Sequence, residues 1–191
     1  LAFLVAAPLF AQESRDAAFL AARDGFRNGD AAKLERAAAA LGGGHELAPY
    51  VEYFQLRLRL EQADAATVRA FLERYDRSYV AEKLRGDWLR LFAKKQQWSE
   101  VEAAHEGLLS PEQETVCLNL QARLARKDAV AIDEALPLWQ SLLEPPEACI
   151  PVLEALIWEK KVLADDVWGR IRRQFEANRT AWAKSTMHYL P

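Results

Sequence analysis

The chain has 191 residues, enough for one domain with a substantial core or for a short array of repeats, and too many to need metal or disulfide staples merely to fold. Its 25 Lys and Arg are interspersed with 28 Asp and Glu, giving a net charge of −3 and a pI near 5.7, so no electrostatic footprint for nucleic acid is present. Glycine and proline number eight each, alanine and leucine are abundant, and the composition is that of a helical protein.

Leu1 to Ala11 is an apolar run that breaks at Pro8 and turns polar at Gln12. It reads as the remnant of a secretory signal, too short to span a bilayer, so the mature protein is expected to begin near Gln12 and to be exported, with no membrane attachment once the signal is removed. Ser14 then opens a helix with Ala18, Phe19, Ala22 and Phe26 at helical intervals, which Asn28-Gly29 stops. Asp30 caps "AAKLERAAAAL", and Gly42-Gly43-Gly44 ends it. "LAPYVEYFQLRLRLE" follows, with Tyr50, Phe54 and Leu58 on one stripe. Asp64 caps the next helix and Ser78 precedes another. Ser99 with Glu102, and Ser110-Pro111 with Gln113, have the form of capping boxes. Asp128, Pro146 and Asp165 or Asp166 open the remaining helices.

The caps Asp30, Asp64, Ser99, Asp128 and Asp165 are separated by 34, 35, 29 and 37 residues, and each opens the second helix of a pair. That spacing predicts an all-α superhelix over 12–191, a solenoid of antiparallel helix pairs with a tetratricopeptide-like period near 34. Within it, "LRGDWLRLFAKKQQWSE" is a seam: Leu84, Trp88 and Leu91 face a neighbouring helix, Leu89 and Phe92 widen the stripe, and Trp98 staples the next helix. Arg85 and Asp87 fall on the solvated side, so the Arg-Gly-Asp triplet is helix-internal. Trp139, Trp158, Trp168 and Trp182, with Tyr50, Tyr53, Tyr75 and Tyr79, have ring faces suited to sugars, but helix pairs must bury their stripes first, and core packing is the expectation for each.

Cys117 and Cys149 lie 32 residues apart, each near a helix start, and stacked pairs would bring them to equivalent positions on neighbouring units. In an oxidising compartment an even cysteine count favours pairing, and the predicted bridge requires Cα atoms within about 7 Å. His45, His105 and His188 are isolated from one another and lack metal-ligand spacing. "ALGGGHEL" reads as a linker, not a phosphate cradle, and no cofactor is expected.

"APYVEYFQLRLRL", "VRAFLERYDRSYVAEKLRGDWLRLFAKKQQW" and "LADDVWGRIRRQFEANR" carry a resemblance. A Phe-Leu-x-x-Tyr segment, an Arg-x-Asp-Trp helix and a later lone Trp resemble the N-terminal, U-shaped helical region of soluble lytic murein transglycosylases. The resemblance spans about residues 13–185. It implies a periplasmic, monomeric, non-catalytic module that guides peptidoglycan glycan strands to a lysozyme-like domain outside this chain. That family's catalytic acid is the Glu of a Glu-Ser pair in the lysozyme-like domain; Glu13-Ser14 is the only such pair here, and no lysozyme-like sequence follows it. The alternative is a free-standing periplasmic helical-repeat adaptor that binds proteins or peptides.

Overall fold

The computed structural model describes the backbone of residues 7–190 and the side chains of residues 14–190. Eleven α-helices and two short 3₁₀ turns occur among them, and no strand. The chain divides into two compact units, 1–88 and 89–191. Leu1 to Ala6, the first part of the expected signal remnant, lies outside the described residues.

The first unit holds α1 (Ala7–Arg27), α2 (Ala31–Leu41), α3 (Ala48–Leu58), α4 (Ala65–Arg74) and the first part of α5 (Tyr79–Lys94). α1 is already helical at Ala7, ahead of the expected Ser14, and the helix includes Pro8. α1 and α2 are joined by a tight turn in which Gly29 adopts φ 67° and the Asp30 N–H reaches back to the Gly25 carbonyl at 2.8 Å. The Asp30 carboxylate then accepts from the Lys33 N–H at 2.8 Å. Gly25 sits where the two helices nearly touch: a Cβ there would lie 2.8 Å from the Leu34 nitrogen. Leu34, Ala37 and Leu41 of α2 bury against Ala18 and Ala22 of α1 and against Ala48, Val51 and Phe54 of α3. The buried residues of α3 are Ala48, Val51, Phe54 and Leu56; of the expected stripe, Phe54 is buried, Tyr50 is half-buried against Phe19 of α1, and Leu58 is exposed. Asp64 caps α4 by accepting from the Ala66 and Thr67 N–H groups.

The second unit holds the end of α5, then α6 (Trp98–Glu106), α7 (Gln113–Ala125), α8 (Ala129–Ser141), α9 (Ile150–Trp158), α10 (Ala164–Glu176) and α11 (Thr180–Thr186). The 3₁₀ turns are Glu147–Cys149, leading into α9, and Met187–Tyr189. Leu89, Val101, Ala104, Leu118 and Ala122 form one core. A larger one is built from α7 to α11 around Trp139, Val152, Leu156, Val167 and Ile171.

Two of the expected capping boxes are absent. α6 starts two residues earlier than expected, with Gln97 at the cap position and no side-chain cap; Ser99 is already inside the helix, and Trp98 is its first residue and not a staple ahead of it. α7 starts after Glu112, so Ser110 and Pro111 precede the helix. Left-handed residues lie just ahead of α6, α8, α10 and α11: Gln96, Lys127, Lys160 and Asn178 adopt φ of 55°, 62°, 56° and 59°. In each case the next N–H bonds back to the carbonyl five residues earlier, closing the preceding helix in the manner of a Schellman turn. α10 follows Leu163, whose N–H donates to Asp166 Oδ2 at 3.0 Å, so Asp166 supports the start from inside the helix. The cap positions of α2, α4, α6, α8 and α10 are 30, 64, 97, 128 and 163, separated by 34, 33, 31 and 35 residues.

Cys117 of α7 and Cys149 of the turn before α9 are joined in a disulfide, with Cα atoms 4.9 Å apart and both residues fully buried.

Candidate functional site

In the first unit, helical periodicity puts Tyr50, Tyr53 and Arg57 on one face of α3 and Tyr79, Lys83 and Asp87 on one face of α5. The two faces meet. The Tyr53 hydroxyl donates to Asp87 Oδ2 at 2.8 Å, and Arg57 Nε reaches the same oxygen at 2.9 Å. The Asp87 side chain is only 15% exposed, so the sequence-based placement of Asp87 on the solvated side is corrected: α3 packs over it and supplies both partners. Burial first, and then the adjacent Asp87 charge, pushes the Tyr53 hydroxyl far above the ordinary tyrosine value, and the Tyr79 hydroxyl adds to this. Tyr53 therefore stays a proton donor throughout the physiological range. The Tyr50 and Tyr79 rings lie 6.3 Å apart and tilted at 31°, backed by Phe19 of α1 against Tyr50. Tyr79 is 62% exposed, with the Lys83 ammonium 5.7 Å from its ring centroid.

Beside this face, Glu52 accepts from the Tyr75 hydroxyl at 3.0 Å and from Arg74 at 3.2 Å, at the edge of an open groove of about 280 Å³ floored by Leu56 and Phe71. Trp88, expected at the centre of a buried seam, is half-buried with the Arg69 guanidinium 6.0 Å over its ring; Leu84 and Leu89 are the fully buried residues of α5.

In the second unit a groove of about 410 Å³ runs between α8 and the start of α10, bordered by Leu136, Pro137, Trp139 and Val162 and crossed by the Lys161–Asp133 ion pair at 2.6 Å. Behind it, Arg170 is 2% exposed, and no ion pair to a carboxylate is found for it among the described residues. Its guanidinium donates to the carbonyls of Trp139 and Leu142 at the negative end of α8 and stacks 4.8 Å over the Trp139 ring. Gln174, one turn on, donates to the Leu143 carbonyl at 2.9 Å. Burial first, and the nearby Arg173 charge next, pulls the Arg170 pKa down to about 10. This is a fastening between helices, and its sequence signal was only the isolated "GRIRRQ".

The core expectation for the aromatics divides. Trp139 is buried, but Trp158 is 83% exposed and Trp168 is also exposed, and Tyr79 lies on the surface described above. These three corrections share a cause: each ring sits within two residues of a helix end or on the helix face opposite the core stripe. Trp182, Tyr50, Tyr53 and Tyr75 are half-buried.

Among the described residues no group of three or more His, Cys, Asp and Glu is placed to hold a metal ion. His45 bridges Asp16 and the Leu47 N–H, while His105 is held below its ordinary pKa, first by burial and then by Arg123. The side chain of Glu13 lies outside the described residues; Ser14 is an exposed position within α1. No helix among the described residues is long and apolar enough to cross a membrane.

The fold and this face define an all-helical protein with a surface of tyrosines and preset charged groups. No family model, curated protein or solved structure matches the chain.

Proposed function

We propose that this chain is the non-catalytic superhelical module of a periplasmic lytic transglycosylase, guiding peptidoglycan glycan strands toward a lysozyme-like domain outside residues 1–191. The observation that carries the reading is the recurrence of helix starts at positions 30, 64, 97, 128 and 163, always on the second helix of a pair. Helix pairs repeating at about 34 residues stack in tetratricopeptide-like fashion and generate one extended surface, which suits a long polymer better than a closed pocket does. The Cys117–Cys149 bond fits an oxidising compartment and would hold two successive pairs in register. The exposed Trp158 and Leu163 favour a second reading, a free-standing adaptor for proteins or peptides. Small-angle scattering tests the architecture: an elongated, curved particle supports it and a spherical one opposes it. Sedimentation with purified sacculi tests the ligand, since an adaptor for proteins has no reason to pellet with glycan.

A further inference from the structure

We infer that the outward face of α10 is a self-association surface, on which a second copy of this chain packs its own α10 antiparallel to the first. This goes beyond the glycan reading and does not depend on it, and it replaces the monomer that the resemblance implies.

α10 buries Val167, Arg170, Ile171 and Gln174. Helical periodicity puts Asp165, Trp168, Gly169, Arg172, Phe175 and Glu176 on the outward side, at the i, i+3, i+4, i+7 spacing of a helix–helix seam. These groups have bonding and packing capacity that the chain leaves unused. Trp168 and Phe175 are 46% and 43% exposed, and no ion pair is found for Asp165, Arg172 or Glu176 among the described residues.

The order of the groups selects a second copy as the occupant. A two-fold axis requires each group to meet its complement at the same distance on the other side of a midpoint. About a midpoint between Trp168 and Gly169, Asp165 lies three residues before Trp168 and Arg172 three residues after Gly169, so an antiparallel copy sets carboxylate against guanidinium twice. Leu163, exposed ahead of the helix, is five residues before Trp168, and Phe175 is six after Gly169, which adds an apolar pair beyond each charged one. Glu176, seven residues after Gly169, comes to the level of Lys160, eight before Trp168. At the centre each Trp168 meets Gly169 of the other copy. Beyond the helix's own backbone, the atoms nearest a Cβ at Gly169 would be Arg172 Nη2 and Arg173 Nη1, each 3.9 Å away, so the missing side chain leaves a seat for an indole beside two guanidiniums. A parallel copy would oppose Asp165 to Asp165 and Arg172 to Arg172, and a partner of one charge sign would leave half of the face unmatched. With 13 residues α10 is about 20 Å long, so the seam is smaller than the roughly 800 Å² per partner of a stable interface, and the dimer is weak.

The test is sedimentation equilibrium of the whole chain from about 10 μM to about 1 mM, with melting temperatures as the check on folding. The parent is expected to pass from monomer to dimer within that range. Asp165→Arg and Arg172→Asp should each weaken association by about tenfold or more, because each sets like charges together at two places. The double variant carrying both changes re-forms the pairs with their signs exchanged and should dimerise within about threefold of the parent. Trp168→Ala should weaken association by at least tenfold and keep the parent's melting temperature, since the indole is on the surface. A parent that stays monomeric at 1 mM, a dimer that none of these changes weakens, or a double variant as weak as the single ones would each overturn the inference, and none of them bears on the glycan reading.

Discussion

Replacing Arg170 by alanine should cost about 3–5 kcal/mol of folding stability, a large effect for a single residue. Its guanidinium makes two charge-assisted hydrogen bonds to the Trp139 and Leu142 carbonyls, each contributing about 1.5–3 kcal/mol. The cation over the Trp139 ring at 4.8 Å adds about 1–2 kcal/mol. Against these stands desolvation of the cation: the drop of its pKa from 12.5 to about 10 corresponds to roughly 3 kcal/mol, which the alanine variant recovers. These contributions leave about 1–5 kcal/mol net, and the two carbonyls at the end of α8 left without partners, with the cavity the lost side chain opens, put the loss in the upper part of that range. Urea unfolding followed by circular dichroism measures the difference. Arg170→Met, which refills most of the volume but cannot donate, separates packing from hydrogen bonding and should recover less than half of the loss. A Met variant as stable as the parent would refute the argument, because the carbonyl contacts would then contribute nothing net.

Reduction of the Cys117–Cys149 bond should lower stability by about 3–4 kcal/mol, the loop-closure entropy expected for a separation of 32 residues; equal urea midpoints with and without reductant would contradict this. Gly25→Ala should destabilise by about 1–3 kcal/mol, because the new methyl group meets backbone at 2.8 Å and helices α1 and α2 must part, and an unchanged melting temperature would mean the approach is looser than described. Tyrosinate absorbance should show Tyr189 titrating near pH 12, raised first by burial and then by its bond to Glu154, with Tyr53 higher still. Because these hydroxyls hold their protons longer when folded, their contribution is fully present below pH about 10 and is lost as pH rises through the folded values, so stability should fall above pH about 10. A single titration step at the ordinary tyrosine value in the folded protein would exclude those environments.

Local chemistry made much of this fold legible. Asp30, Asp64 and Asp128 cap helices as their side chains and positions require, Gly42 ends α2, and the pairing of Cys117 with Cys149 follows from their spacing and an even count. The Ser99 box was not legible, because the start of α6 follows the left-handed Gln96 and the backbone bond from Gln97 that closes α5, which any residue with a tolerable φ can supply. The candidate site was hidden for a different reason. Asp87 looks solvated on α5 alone; only the register of α3, which brings Tyr53 and Arg57 to it, converts a surface charge into a fixed acceptor. Trp158 and Trp168 show the limit of composition, since tryptophan's preference for burial does not say which side of a helix meets the core.

The central claim, a module that holds glycan without cleaving it, is tested most directly by incubating the purified chain with sacculi, separating pellet from supernatant, and analysing both. The account predicts saturable recovery of the protein in the pellet and no anhydro-muropeptides in the supernatant. Protein that stays in solution at every sacculus concentration, or turnover that yields anhydro-muropeptides, would contradict it.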